Sequence, residues 1–132
     1  MHLIIDGYGG DPQKMQDVEF IYKILDAYPS QIGMTKISTP HVSKYVGSKS
    51  EDWGVSGFVL IAESHISIHT FPERFYINID VFSCKEFDAE RAIKEFKQNF
   101  GLTDVRSYIL NRGLEFSNNQ QPSLVLDPAS VR

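Results

Sequence analysis

Gly57-Phe-Val-Leu-Ile-Ala-Glu-Ser-His-Ile-Ser-Ile-His-Thr-Phe-Pro-Glu73 decides how this chain is read. It opens as an apolar run, Phe58 to Ala62, and breaks at Glu63-Ser64-His65. It then resumes as an alternation in which Ile66 and Ile68 are separated by Ser67 and flanked by His65 and His69. Alternation of period two marks a strand with one covered face. The reading is therefore two strands, at about 56–62 and 65–71, with a reversal at Glu63-Ser64. A strand that exists only to be buried would not carry an acid, a hydroxyl and two imidazoles at its end.

The same logic extends outward. Residues 75–83 alternate Phe75, Ile77, Ile79 and Val81 against Tyr76, Asn78, Asp80 and Phe82, which predicts a further strand. Asp88 is placed to cap a helix reaching about Phe100, with Ala89, Ala92, Ile93, Phe96 and Phe100 inward and Gly101 as its C-cap. Asp104 to Leu110 reads as a last strand. At the other end, His2 to Tyr8 is a strand closed by glycines. Asp11-Pro12 caps and starts a helix running to about Ala27, with Met15, Val18, Phe20, Ile21, Ile24 and Leu25 on one side. Tyr28-Pro29 is expected to end it, because a residue before proline leaves the helical region. Thr35 to Tyr45 is β-like and bent at Pro40, and 46–54 is a polar loop.

The predicted order is β-α-β-β-β-β-α-β, an α+β fold. Short links between the middle strands imply a mainly antiparallel sheet with both helices on one face. The central strands are fairly apolar on both parities, so the bare face is expected to pack against the sheet of a second copy in a homodimer.

At 132 residues the chain is read as one catalytic domain, 1–112, followed by a polar tail, 113–132. A net charge of −4 argues against a nucleic-acid partner. No apolar run approaches the roughly 20 residues that span a bilayer, so no membrane partner is expected. The start lacks the pattern of a signal peptide, and the single cysteine, Cys84, fits a reducing, cytoplasmic setting.

The chemistry is concentrated at Glu63-Ser64. A serine hydroxyl can attack the carbonyl of its own preceding peptide bond and turn amide into ester. The step needs a strained bond at a reversal, stabilisation of the oxyanion, and a base. Removal of the serine α-proton then eliminates the ester and cuts the chain. The new terminus hydrolyses from dehydroalanine to a pyruvoyl group, a ketone able to form a Schiff base with an amine without pyridoxal phosphate. From the dipeptide alone, a strand ending in a hydrated Glu-Ser turn is the better reading.

The surrounding pattern narrows this. Gly54-Val-Ser-Gly57, then Glu63-Ser-His-Ile-Ser-Ile-His-Thr-Phe-Pro-Glu73, then Asp80-Val-Phe-Ser-Cys84 resembles the bacterial and archaeal S-adenosylmethionine decarboxylase family. The match is dense over 54–84 and weaker over His2-Leu3 and the helices. The resemblance implies cleavage between Glu63 and Ser64 into chains 1–63 and 64–132, with Ser64 becoming the covalent pyruvoyl cofactor. It implies that Ser56 and His69 assist processing, that Cys84 donates the proton that quenches the substrate carbanion, and that Glu73 binds ribose hydroxyls. Glu63 becomes a new carboxylate near the site. The product of such a reaction is the aminopropyl donor for spermidine synthesis.

Spacing adds an independent constraint. His69 lies five residues beyond Ser64, about 16 Å along a straight strand. Either the strand folds back or His69 serves another subunit. The expectation is Ser64 and Cys84 from one protomer and Ser56, His69 and Glu73 from its partner.

The chain also departs from its relatives. Their short loop carries an aromatic six residues before the serine matched by Ser56, where this chain has Ser50 in a longer segment. Gly7 and Lys85 also differ, and Phe71 stands for a tryptophan. A second reading is therefore a pyruvoyl-dependent decarboxylase of ornithine or arginine, with Asp6, Glu51, Asp52 and Glu73 meeting the cationic side chain. A third is a non-catalytic regulatory paralogue. His65 is left without a role, and Asp80 is read as a structural acid.

Overall fold

The computed structural model describes residues 1–112 of the chain; the predicted tail, 113–132, lies outside the described residues. The elements run β1 (His2–Tyr8), α1 (Pro12–Met15), α2 (Val18–Gln31), β2 (His41–Val46), β3 (Trp53–Ile61), β4 (Ser64–Phe71), a 3-10 turn (Pro72–Arg74), β5 (Tyr76–Phe82), α3 (Ala89–Phe100) and β6 (Asp104–Leu110). The strands form one antiparallel sheet in the order β2-β3-β4-β5-β1-β6. This is the α+β architecture that the alternation predicts.

The inner face is built by one parity of every central strand. Leu3, Ile5, Val55, Val59, Ile61, Ile66, Ile68, Ile77, Ile79 and Val81 are all fully buried. Against them pack Ile21 and Leu25 of α2, and Ala92, Phe96 and Phe100 of α3. Phe96 and Phe100 bring aromatic contacts with Tyr28 and Phe20, at ring separations of 4.8 and 5.6 Å. Burial of this apolar surface is the main force holding the helices to the sheet.

The first predicted helix is two helices. Asp11 caps Pro12–Met15 through Gln13, and Asp17 starts afresh by accepting a hydrogen bond from the Phe20 N–H at 3.1 Å. A second capping carboxylate inside the periodic run lets the chain turn between the two. Val18, expected inward, is consequently exposed. Nor does Pro29 stop the helix, which continues to Gln31. Proline removes one hydrogen bond in the last turn, while Tyr28 and Pro29 are both buried there. The β-like stretch from Thr35 contributes only an isolated bridge, Lys36 to Ile61, before β2 begins at His41. The expected loop at 46–54 is shorter, because β3 starts at Trp53 and pairs with β2 back to Val46. Phe75 is not part of the alternation: it is half exposed at φ +52 in the turn before β5.

The outer face is less apolar than the sequence suggests. Phe58, Leu60, Phe71 and Phe82 are interleaved there with Ser56, His65, Ser67, His69, Asn78 and Asp80. His2 Nε2 meets Asp80 Oδ1 at 2.9 Å, so the structural acid at 80 has its partner on β1. The expected site residues Ser56 and His69 share this face with the partly exposed Phe58 and Leu60.

Candidate active site

Two clusters of the expected residues stand at different places on the sheet. The first is at the β3–β4 reversal. Only Ala62 and Glu63 separate the two strands, and Ile61 pairs directly with Ser64. Glu63 takes φ +66, a left-handed conformation that costs a side-chain-bearing residue on the order of 1 kcal/mol. The strain therefore sits on the residue whose carbonyl forms the Glu63–Ser64 peptide bond.

Cys84 closes around that bond from the end of β5. Its backbone N–H donates to Ser64 Oγ at 2.9 Å. The Ser64 hydroxyl reaches Cys84 Sγ at 3.5 Å, and the thiol donates to the Glu63 carbonyl oxygen at 3.2 Å. One residue thus holds the nucleophilic oxygen and touches the oxygen on which charge would develop, an oxyanion-stabilising arrangement. The turn carrying Cys84 is itself anchored. The Ser83 N–H donates to the Met1 carbonyl at 2.9 Å, and the Lys85 N–H donates to Ser83 Oγ at 2.9 Å. Ser83 is fully buried and Ser64 is 9% exposed, while the Cys84 thiol remains accessible.

The second cluster lies at the other end of β4. Ser56 and His69 are cross-strand partners, and His69 Nδ1 lies 2.8 Å from Ser56 Oγ. Glu73, on the 3-10 turn after β4, accepts a hydrogen bond from Trp53 Nε1 at 3.2 Å. Beside them is an open pocket of about 170 Å³ lined by Tyr45, Trp53, Gly54, Ser56, Thr70 and Phe71, with the Asp52–Arg74 ion pair, 3.0 Å, at its edge. β4 runs unbroken from Ser64 to Phe71, so the fold-back that would bring His69 to Ser64 of the same chain does not occur.

Several contributors carry no signal in sequence. Thr70 faces the core. Its hydroxyl donates to the Met15 carbonyl at 2.7 Å and accepts the Val55 N–H at 2.9 Å. It thereby ties α1 to the point where the β3–β4 ladder ends. Asp6 accepts the Tyr76 hydroxyl at 3.0 Å, and Asn78, the register partner of His69, donates to that same hydroxyl at 3.0 Å. Burial, with the Asp6 hydrogen bond second, pushes the Tyr76 phenol above its ordinary pKa. His65 faces Phe82 at 5.5 Å between ring centroids, an ordinary packing contact. Glu51 is exposed, its carboxylate 3.3 Å from Ser50 Oγ. Among the described residues, no three of His, Cys, Asp and Glu gather as metal ligands.

Comparison with known proteins places this geometry. The family model described as S-adenosylmethionine decarboxylase matches residues 1–113. The S-adenosylmethionine decarboxylase proenzyme of Archaeoglobus fulgidus is 34% identical over 113 residues, covering 85% of this chain and 96% of that protein. The proenzyme of Pyrococcus furiosus is 34% identical over 116 residues, covering 86% and 78%. The crystal structure of the adenosylmethionine decarboxylase from Aquifex aeolicus superposes with a TM-score of 0.67 at 30% identity, covering 84% of this chain and 92% of that one. Fold and matches together define a decarboxylase, a carboxy-lyase built on a single antiparallel sheet with helices on one face. Within that class the chain belongs to the S-adenosylmethionine decarboxylase family.

Proposed function

We propose that the chain is a proenzyme that cuts itself between Glu63 and Ser64 and then decarboxylates S-adenosylmethionine through a pyruvoyl group made from Ser64. The observation that carries this is the Glu63–Ser64 peptide itself. A left-handed Glu63 precedes a serine oxygen held by the Cys84 N–H, with the Cys84 thiol on the Glu63 carbonyl.

In the acyl shift, Ser64 Oγ attacks the Glu63 carbonyl carbon, the C–N bond breaks, and an ester and a free amine form. The Cys84 thiol supports the charge that grows on the carbonyl oxygen, and release of the left-handed turn favours the ester. A base then takes the Ser64 α-proton, and Glu63 leaves as a carboxylate. Water converts the remaining dehydroalanine to the pyruvoyl group and ammonia. The pyruvoyl ketone supplies an electron sink for the carbanion left when carbon dioxide departs. Cys84, accessible beside that position, is suited to return a proton to the carbanion.

The unbroken β4 supports a shared site. His69 and Ser56 face outward far from their own Ser64, so in a homodimer they serve the Ser64 of the partner, with Glu73 meeting the ribose hydroxyls. S-adenosylmethionine is favoured over ornithine or arginine because two acids that a cationic side chain would need are already engaged. Asp52 is paired with Arg74, and Asp6 accepts from Tyr76. The product is then the aminopropyl donor used to build spermidine.

The test is a denaturing gel of the purified protein together with carbon dioxide release from S-adenosylmethionine, ornithine and arginine in parallel. Two fragments, 1–63 and 64–132, and release from S-adenosylmethionine are expected. A chain that stays whole, or release from a basic amino acid alone, overturns the proposal.

A further inference from the structure

Ser56 and His69 continue a row of polar side chains that begins on the edge strand. Val42 of β2 packs against the core, so its neighbours His41 and Ser43 stand on the outer face. Ser43 is the register partner of Ser56, and Ser56 is the register partner of His69. The three lie side by side across β2, β3 and β4. His41 ends the row, with its Nε2 3.1 Å from Ser43 Oγ. We propose that His41, acting through Ser43 and Ser56, is a positioning residue that holds His69 in the tautomer protonated at Nδ1 and bare at Nε2. The use of that bare nitrogen rests on the self-cleavage proposed above.

A histidine's tautomer is set by the hydrogen bond that its other nitrogen makes. Among the described residues, the hydrogen-bond partner of His69 is Ser56, whose Oγ lies 2.8 Å from Nδ1. A hydroxyl can meet that nitrogen as donor or as acceptor. What stands behind Ser56 decides between the two. Directly opposed residues of antiparallel strands have Cβ atoms about 4.5–5.5 Å apart, so the Ser56 and Ser43 hydroxyls are joined directly or through one water. With His41 Nε2 accepting the Ser43 proton, Ser43 accepts from Ser56, and Ser56 accepts from His69 Nδ1. The donors then all point toward β2, and each link polarises the next. On the other side of His69, its register partner Asn78 has its amide nitrogen on the Tyr76 hydroxyl at 3.0 Å.

This direction is the one that suits the elimination step. The bare His69 Nε2 takes the α-proton of the partner chain's serine ester. The electron pair forms the Cα–Cβ double bond, the Cβ–Oγ bond breaks, and the glutamate leaves as a carboxylate. With the donors reversed, Nε2 would already carry a proton and could not act as the base. The His41 ring is itself held against Phe58, with centroids 5.6 Å apart.

That contact shapes the test. His41→Phe keeps a ring against Phe58 and loses the acceptor, while His41→Gln keeps an acceptor. His41 is exposed, so neither disturbs the core. The tautomer is read from two-bond proton–nitrogen spectra of the uncut Ser64→Ala chain at about pH 8, above the ordinary histidine pKa of about 6.5. The four histidines are few enough to assign, and the His69 signals are those lost in His69→Gln. An Nδ1-protonated His69 is expected in Ser64→Ala and with His41→Gln added, and a shift toward the Nε2-protonated form with His41→Phe or Ser43→Ala added. With Ser64 present, His41→Phe should slow self-cleavage about tenfold, the effect of one net hydrogen bond, and His41→Gln should recover most of the rate. An Nε2-protonated His69 in Ser64→Ala, or a His69 tautomer unmoved by His41→Phe, overturns the proposal. The two readings fail separately. Cleavage of the wild-type chain with a tautomer indifferent to His41 removes the row and keeps the function. A tautomer that depends on His41 in a chain that never cuts keeps the row and removes the function.

Discussion

The backbone N–H of Cys84 donates to the hydroxyl of Ser64 at 2.9 Å, across 20 residues of sequence. Nothing in the local pattern of either residue demands this contact. It arises because the reversal after β3 and the turn after β5 lie at the same end of two neighbouring interior strands, β4 and β5. The contact fixes the oxygen, and the thiol of the same residue rests on the Glu63 carbonyl at 3.2 Å. On the proposed mechanism, Cys84 acts before the chain is cut as well as after.

Ser64→Ala removes the nucleophile. The expected product is a single uncut chain without decarboxylase activity, read on a denaturing gel and by carbon dioxide release. Cleavage of that variant would rule out Ser64 as the attacking group.

Cys84→Ala keeps the backbone N–H but loses the thiol. Removing an oxyanion donor slows reactions by up to about 10²–10³-fold, and a thiol is a weaker donor than an amide. Self-cleavage slowed by roughly tenfold is expected in a gel time course. A wild-type cleavage rate would confine Cys84 to the later proton transfer.

Glu63→Gly tests the strain. Glycine adopts positive φ without the penalty that Glu63 carries at φ +66. The uncut variant, trapped by an added Ser64→Ala, should gain about 1 kcal/mol over Ser64→Ala alone in urea unfolding. With Ser64 present, cleavage should be slower, because the turn no longer stores the energy that the acyl shift releases. Faster cleavage would show that the left-handed turn does not assist the reaction.

A mixture of chains tests the shared site. A His69→Ala chain still holds Ser64, and a Ser64→Ala chain still holds His69. Co-expressed with distinguishable tags, the two should form mixed dimers in which the His69→Ala chain is cut. If mixed dimers are isolated and neither chain is cut, His69 does not act across the dimer.

Tyr76 offers a pH signature. Its phenol is raised by burial and by the Asp6 hydrogen bond, which both favour the neutral form. A folded-state value above the unfolded one gives stability that is complete below the unfolded pKa, about 10. That stability is lost as pH rises through the higher folded value. The tyrosinate absorbance difference between wild type and Tyr76→Phe should therefore appear above pH 10, and Asp6→Asn should move it down. An Asp6→Asn titration at the wild-type position would remove Asp6 as a cause.

Much of the fold is legible in the chain because burial writes a period into it. The alternation of Ile66 with Ile68, and of Ile77 with Ile79 and Val81, marks strands with one covered face, and these side chains are fully buried. Asp88 and Gly101 bound α3 as capping chemistry predicts. What misleads are positions where two rules compete. Asp17 is a cap inside an amphipathic run, so one predicted helix becomes two. Pro29 disfavours helix, yet its burial with Tyr28 keeps α2 intact for two further residues.

The candidate site divides along the same line. Glu63, Ser64 and His69 stand out by residue type at a strand reversal, and Glu73 and Cys84 enter through the resemblance of the motif that holds them. The rise of an extended strand already separates Ser64 from His69. Those are local properties, and the sequence by itself determines them. Tertiary structure alone decides that Cys84 folds over the Glu63–Ser64 bond, that Ser56 meets His69 at 2.8 Å, and that Tyr45, Trp53 and Phe71 line one pocket. These contacts join residues distant in the chain. They depend on strand order, register and the point where a ladder ends, and no local period encodes those.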